Sequence, residues 1–233
     1  MKQLWVFIGV WLMPWPLFAA ELNAQAFWYE ELEQDLPPSL QRYLVTDHFL
    51  RIDSGQAGDD YILFDAARKI IYSINHDDQT ILTIASKPWQ LPEFEFQRHQ
   101  VTDKLQQGPK LFGQTVTNYR LFADRDMCTE IQLVPEIHPR SRAMFRDYQQ
   151  VLSGQQVQSL FNTPEDMRSP CFLIDQVFNT GEYYDQGLPV QEWHSRGYVR
   201  LLKDVKPLKV DETLFSLPEN YQEYSPLQGK IKE

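Results

Sequence analysis

Residues 42–86 read RYLVTDHFLRIDSGQAGDDYILFDAARKIIYSINHDDQTILTIAS, and no other stretch restricts the fold so tightly. Runs rich in β-branched and aromatic residues (Tyr43–Ile52, Tyr61–Phe64 and Ile70–Ile84) are cut by Gly, Asp and Asn clusters. The last run is itself interrupted by Asn75-His76-Asp77-Asp78. Short apolar runs between turn clusters of this kind are consecutive antiparallel strands. The remaining chain must extend that sheet or cover it.

Upstream, Gln25–Gln34 spaces Phe27 and Leu32 near a helical repeat, which predicts a short leading helix stopped by Pro37-Pro38. Gln41–Asp53 is one long strand, or two broken at Asp47. Asp65–Arg68 and Asn75–Asp78 turn two hairpins, the second returning through Thr80–Ile84. Phe94 and Phe96 alternate with Glu93, Glu95 and Gln97, predicting a strand within Glu93–Leu105. Gly108-Pro109 is the next turn, and Phe112–Phe122 and Met127–Val134 follow as strands.

The period then changes. Met144, Phe145, Tyr148, Val151 and Leu152 recur at three- and four-residue spacing, predicting an amphipathic helix over Arg140–Ser153 that Gly154 ends. Thr163-Pro164-Glu165-Asp166 starts a second helical piece, and Ser169 caps a helix over Cys171–Phe178 that Thr180-Gly181 terminates. Leu188–Trp193 and Tyr198–Leu202 make a last hairpin around His194-Ser195-Arg196-Gly197. Leu214–Pro218 tucks a short apolar tail against the core. Strands, a helical insertion and then strands again make an α+β fold: a curved antiparallel sheet, or half-barrel, with helices packed on its concave face. One domain spans 21–226, followed by a disordered tail over 227–233.

Residues 1–20, MKQLWVFIGVWLMPWPLFAA, combine Lys2, a short apolar run, helix-breaking Pro14 and Pro16, and small residues at the end. That is the layout of a signal peptide, cleaved after Ala19, Ala20 or Ala24. The run is shorter than the roughly twenty apolar residues a membrane helix needs. No cysteine follows to carry a lipid anchor, so the expected product is a periplasmic chain without a transmembrane segment. Removing residues 1–20 leaves 21 basic and 32 acidic residues (22 − 1 against 32), a formal charge of −11. This scattered negative charge opposes binding to nucleic acid or to anionic lipid.

Two cysteines remain, Cys128 and Cys171. In an exported chain an even count points to a disulfide. The competing reading is a reactive thiol at Cys171, in a helical first turn where the dipole lowers a thiol's pKa. The missing C-x-x-C pair favours the bond.

The order of elements, carried by Arg51-Ile52-Asp53, Tyr61–Asp65, Lys69-Ile70-Ile71-Tyr72 and Thr80–Ile84, resembles the LolA/LolB-like half-barrels, periplasmic carriers and receptors of outer-membrane lipoproteins. The ending Leu214-Phe215-Ser216-Leu217-Pro218-Glu219-Asn220-Tyr221 is similar to the close of envelope domains of that shape. The likeness covers about half the chain and implies fold and compartment. The Cys128/Cys171 pair and the helical segment depart from the pattern, so no ligand-binding residues follow from it.

Chemical motifs are sparse. There is no Gly-rich phosphate loop, no G-x-S-x-G elbow and no H-E-x-x-H helix. His48, His76, His99, His138 and His194 lack ligand spacing. His76-Asp77-Asp78 and the stretch Asp53–Asp60 (DSGQAGDD) read as turns rather than cation sites. Ser195 beside His194 fails as a dyad, because neighbours on a strand face opposite ways. Glu30-Glu31 and Asp59-Asp60 read as solvated ends. The aromatics Phe27, Trp28, Tyr29, Trp89, Phe94, Phe96, Tyr183, Tyr184, Trp193 and Tyr198 serve packing or line an apolar pocket. The expectation is an exported, non-enzymatic protein, without metal or cofactor, that binds a lipid or other apolar ligand between sheet and helices. The alternatives are an envelope interaction or assembly factor, and last a thiol or hydrolytic enzyme.

Overall fold

The computed structural model describes residues 20–88, 90, 93–105 and 110–226. The leader up to Ala19, Trp89, the Gly108-Pro109 turn and the tail over 227–233 lie outside the described residues. The fold begins with a strand, β1 (Glu21–Leu32), where the spacing of Phe27 and Leu32 predicts a helix. Phe27 and Tyr29 are buried on one face, while Ala26 and Trp28 pack on the other. A strand buried on both sides loses the polar/apolar alternation that marks a half-exposed one. That is why this segment imitates helical spacing.

Five strands follow as a meander: β2 (Ser39–Val45), β3 (Phe49–Asp53), β4 (Tyr61–Asp65), β5 (Ile70–Asn75) and β6 (Thr80–Ala85). Gln41–Asp53 is therefore two strands, and both hairpin turns fall where Asp and Asn place them. The region Glu93–Leu105 is a strand only over β7 (Arg98–Lys104), because Phe94 and Phe96 leave the sheet to pack against Phe178.

Phe112–Phe122 is likewise not one strand. β8 (Lys110–Leu111) and β9 (Gln114–Thr115) form a separate hairpin whose loop, Phe112 and Gly113, has φ +52° and +76°. Positive φ at both central residues makes the tight two-residue turn that matches strand twist, and it breaks the run. β10 (Thr117–Ala123) and β11 (Asp126–Val134) rejoin the main sheet.

The helical insertion follows. α1 (Pro139–Ser159) runs past Gly154, where the sequence predicts a stop. Ser153 and Gly154 are buried, and the Ser153 hydroxyl donates to the Asn179 carbonyl. Small side chains here admit a neighbouring segment rather than end the helix. That neighbour is the end of a π-helical turn over Ile174–Phe178, which continues α2 (Pro170–Leu173), a helix capped as expected by the Ser169 side chain accepting from the Phe172 N–H. Gly181, at φ +76°, reverses the chain; a Cβ there would lie 3.1 Å from Gln149 Cβ of α1.

β12 (Leu188–His194), β13 (Val199–Asp211) and a short β14 (Gln222–Tyr224) complete the chain. The twelve-stranded sheet has the order β14-β6-β5-β4-β3-β2-β1-β13-β12-β11-β10-β7. Every pairing is antiparallel except β14 with β6. β1 and β13, near opposite ends of the sequence, pair over their whole common length in the middle of the sheet, from Glu21↔Asp211 to Leu32↔Val199. The fold is α+β, a curved, unclosed sheet with its helices on the concave face.

On that face Phe27, Tyr29, Tyr43, Leu50 and Phe64 meet Met144, Phe145 and Val151 of α1. Each such side chain, fully buried, stabilises by about 1.5–3 kcal/mol. The opposite face carries a second core, with Leu44, Tyr61, Leu63, Tyr72 and Ile74 covered by Phe215 of the C-terminal segment. The apolar tail thus packs as its composition predicts.

Candidate functional site

Beyond the aromatic core, the concave face changes character. β12 and β13 pair with Glu192 directly opposite Arg200, and β11 and β12 with Thr129 opposite His194. Glu192 and His194, two apart on one strand, share a face. The π-helical turn lowers Asp175 onto the same spot. These five residues come together from three strands and one turn; Thr129, Asp175, Glu192 and Arg200 are buried, and the His194 side chain is largely enclosed.

The Arg200 guanidinium donates to Glu192 Oε1, to the Tyr43 hydroxyl at 3.2 Å and to the Tyr184 hydroxyl at 3.2 Å. Its Cζ stands 4.7 Å from the centre of the Tyr29 ring. Thr129 donates its hydroxyl to Asp175 Oδ1. His194 Nδ1 lies 3.0 Å from the same Asp175 oxygen, and its Nε2 lies 3.9 Å from Glu192 Oε2.

Burial alone would depress the His194 pKa, but the flanking Asp175 and Glu192 carboxylates outweigh it and lift it to about 9. Burial would raise Glu192; Arg200 and His194 reverse this and hold it below the ordinary carboxylate range. Burial pushes up the hydroxyls of Tyr29, Tyr43, Tyr183 and Tyr184, so all four are neutral donors. At neutral pH two cations and two carboxylates therefore interlock.

The cluster forms the floor of a pocket of about 480 Å³. Gln149, Leu152 and Gln156 of α1 stand on one side, Gln176 and Asn179 on another, with Tyr198 and Arg196 on the β12–β13 hairpin and Glu33 and Gln34 at the rim. Nearly all the lining residues carry polar groups, but polar and apolar surface along the pocket are close to equal. A second, shallower pocket lies at the start of α1, between Val45, His138, Pro139 and Pro207.

No family model and no curated protein matches the sequence. Among solved structures, two described as PNGF-II, in space groups C2 and P21, are similar in backbone. Their TM-scores are 0.43 and 0.41, at 10% identity over 89% and 90% of this chain. The chain spans about a third of their length, 32% in each case, and a likeness at this level carries no argument about fold or function.

Cys128 and Cys171 are bonded, which settles the reading of Cys171 as a reactive thiol against it. The bond joins β11 to α2, one residue from Thr129 and four from Asp175. The backbone at Cys128 also accepts from the Ser195 N–H at 2.7 Å, so the bond fastens the edge of the polar cluster.

Of the five histidines only His194 belongs to the site. His99 stacks on Phe122 at 4.8 Å, and His138 sits edge-on to Phe27, its pKa lowered by burial. His48 lies beside Phe49, and His76 contacts the Tyr221 hydroxyl at 2.7 Å. Asp59 accepts from Ser54 and Asp60 from the His76 N–H, so the acids of that loop serve as turn acceptors. Glu31 accepts from Tyr43, and Glu30 pairs with Lys203.

Among the aromatics, Phe27, Tyr29 and Tyr184 fill the concave core, and Trp28 lies on the other face under Lys206. Among the described residues of this set, Tyr183 and Tyr198 alone reach the pocket. Asp175, Glu192 and Arg200 have no local motif, and no sequence reading singles them out. The one available signal is Glu192-x-His194 on a predicted strand opposite Arg200 across a short turn.

Proposed function

We propose that this is an exported, periplasmic, non-enzymatic binding protein of LolA/LolB-like half-barrel architecture, which holds a small polar ligand in the pocket between α1 and the β12–β13 hairpin. The observation that carries this reading is a pocket whose floor is a buried, internally neutralised charge cluster with side-chain capacity left over. The Gln156 and Gln176 side chains stand on its wall and make no side-chain hydrogen bond among the described residues, so their donors and acceptors are open to a ligand.

Binding is favoured over catalysis because Asp175, Glu192, His194 and Arg200 are held by one another. A general base or nucleophile needs a free reactive form within reach of substrate. The pocket lies between sheet and helices, and the polar groups along it favour a polar ligand over the apolar one expected from the sequence. The concave space that a lipid would need is filled by Phe145, Met144 and Tyr184.

The disulfide and the lack, among the described residues, of any helix long and apolar enough to cross a membrane are consistent with export. Cleavage after Ala19 or Ala20 leaves β1 whole. Cleavage after Ala24 would remove its first four residues, including Glu21 opposite Asp211.

Native mass spectrometry of protein taken from its own compartment tests the reading. A small polar mass that leaves on unfolding is expected, on a chain beginning at Ala20 or Glu21. A co-purifying fatty acid or lipid would restore the apolar ligand, and a single stoichiometric protein partner on an empty pocket would favour an assembly factor.

A further inference from the structure

We propose that the ligand of this pocket is a neutral, polyhydroxylated molecule of mono- to disaccharide size, a refinement that rests on the binding reading above. Charge is the first ground. The pocket presents three acids, Glu33, Asp175 and Glu192, and three cations, His194, Arg196 and Arg200. The sum is zero.

The buried members also leave no ion free to grip a charged ligand. Glu192 is held by Arg200, Asp175 by Thr129 and His194, and opening either pair would strand a charge in a dry site. Glu33 and Arg196 at the rim are exposed and screened.

The second ground is the chemistry that remains. Between the rim and the charged floor stand side-chain amides, above all Gln156 on α1 and Gln176 on the π-helical turn. Among the described residues neither makes a side-chain hydrogen bond, although both are half-buried on the pocket wall. An amide offers donors and an acceptor together, and a hydroxyl group, itself donor and acceptor, is the ligand group that uses both.

The half-buried Tyr198 ring supplies one flat apolar surface for the C–H face of a ring-shaped polyol. The volume of about 480 Å³ lies within the usual range of small-molecule sites.

Saturation-transfer NMR on the full mature chain tests this. The probes are glucose, galactose, N-acetylglucosamine, maltose, cellobiose and lactose as neutral sugars, glucuronate and glucosamine as charged ones, and laurate as an apolar one. We expect transfer from at least one neutral sugar with a dissociation constant below about 10 mM. Gln156→Ala and Gln176→Ala, at half-buried positions that spare the core, should each weaken it about three- to tenfold, one hydrogen bond's worth.

Transfer only from glucuronate or glucosamine, sensitive to the same two variants, would overturn the neutral ligand and leave the binding site standing. Neutral-sugar binding indifferent to both variants would overturn the placement. Absence of transfer from every sugar overturns the inference, and with laurate alone binding, the polar-pocket reading falls as well.

Discussion

On the convex face of the sheet, Arg42 and Arg51 grip Asp53; on the concave face, Arg200 and His194 hold Glu192 and Asp175. Both clusters are buried, both place oppositely charged residues across neighbouring strands, and in both the cations keep a carboxylate below its ordinary pKa against the opposing push of burial. They differ in closure.

Arg42 binds Asp53 through two parallel bonds of 2.8 and 2.9 Å. Arg51 reaches the same carboxylate at 2.6 Å, donates to the Leu214 carbonyl at 2.7 Å and stacks on Tyr61, whose hydroxyl donates to the Ser216 carbonyl at 3.0 Å. Neither Arg51 nor Asp53 keeps an unpartnered buried polar atom. The convex cluster is a clamp that ties the C-terminal segment to the sheet. The concave cluster faces a pocket whose wall carries Gln156 and Gln176, neither with a side-chain hydrogen-bond partner among the described residues. Charge burial by itself does not distinguish structure from site; leftover hydrogen-bonding capacity beside open volume does.

Removing one partner from either cluster has the largest expected effect. Asp53→Ala and Arg200→Leu should each cost about 3–5 kcal/mol in chemical denaturation, since each leaves a buried opposite charge uncompensated. Only Arg200→Leu should also abolish ligand binding; loss of binding in Asp53→Ala would dissolve the distinction.

The disulfide comes next. It closes a loop of 43 residues and belongs to the concave cluster alone. The paired Cys128→Ala and Cys171→Ala substitution should cost about 4 kcal/mol on a chain-entropy basis. By hydrogen exchange, amides of 170–179 should open well before those of β3.

Titration sharpens the contrast a little more finely. The folded pKa of His194 is about 9, above its unfolded value, so its stabilisation is complete below about pH 6.5 and disappears as pH rises through 9. The loss should reach about 3 kcal/mol, and it should be absent in His194→Gln. Asp53 and Glu192, depressed when folded, contribute above the ordinary carboxylate range and lose that contribution as pH falls through their folded values. The alkaline limb is therefore expected to track the concave cluster and the acid limb both. The smallest effect is Ser169→Ala, which removes the α2 cap and should cost about 0.5–1 kcal/mol.

The meander was legible because β2–β6 alternate and their turns carry Asp, Asn and Gly, so local chemistry and final structure agree. β1 misled because both its faces are buried in a sheet whose other central strand lies almost two hundred residues away, a fact no local window contains. Gly154 misled similarly: buried inside α1 beside Ser153, whose hydroxyl meets the Asn179 carbonyl, it reads in one dimension as a helix stop. The disulfide followed from cysteine count and compartment. The site was nearly invisible, since Thr129, Asp175, Glu192, His194 and Arg200 become neighbours only through strand register and a π-helical turn. On the β12 strand the partner on the His194 face is Glu192, two residues away, and not the adjacent Ser195.

The pocket depends on His194 being a largely enclosed cation clamped between two carboxylates at its floor. Histidine side-chain NMR between pH 5 and 10, with the His194 resonance assigned by its disappearance in His194→Gln, measures this directly. A midpoint near 9 is expected, with His138 titrating below the ordinary histidine value. A His194 midpoint at or below about 6.5 would show a neutral ring there and contradict the charge arrangement on which the pocket depends.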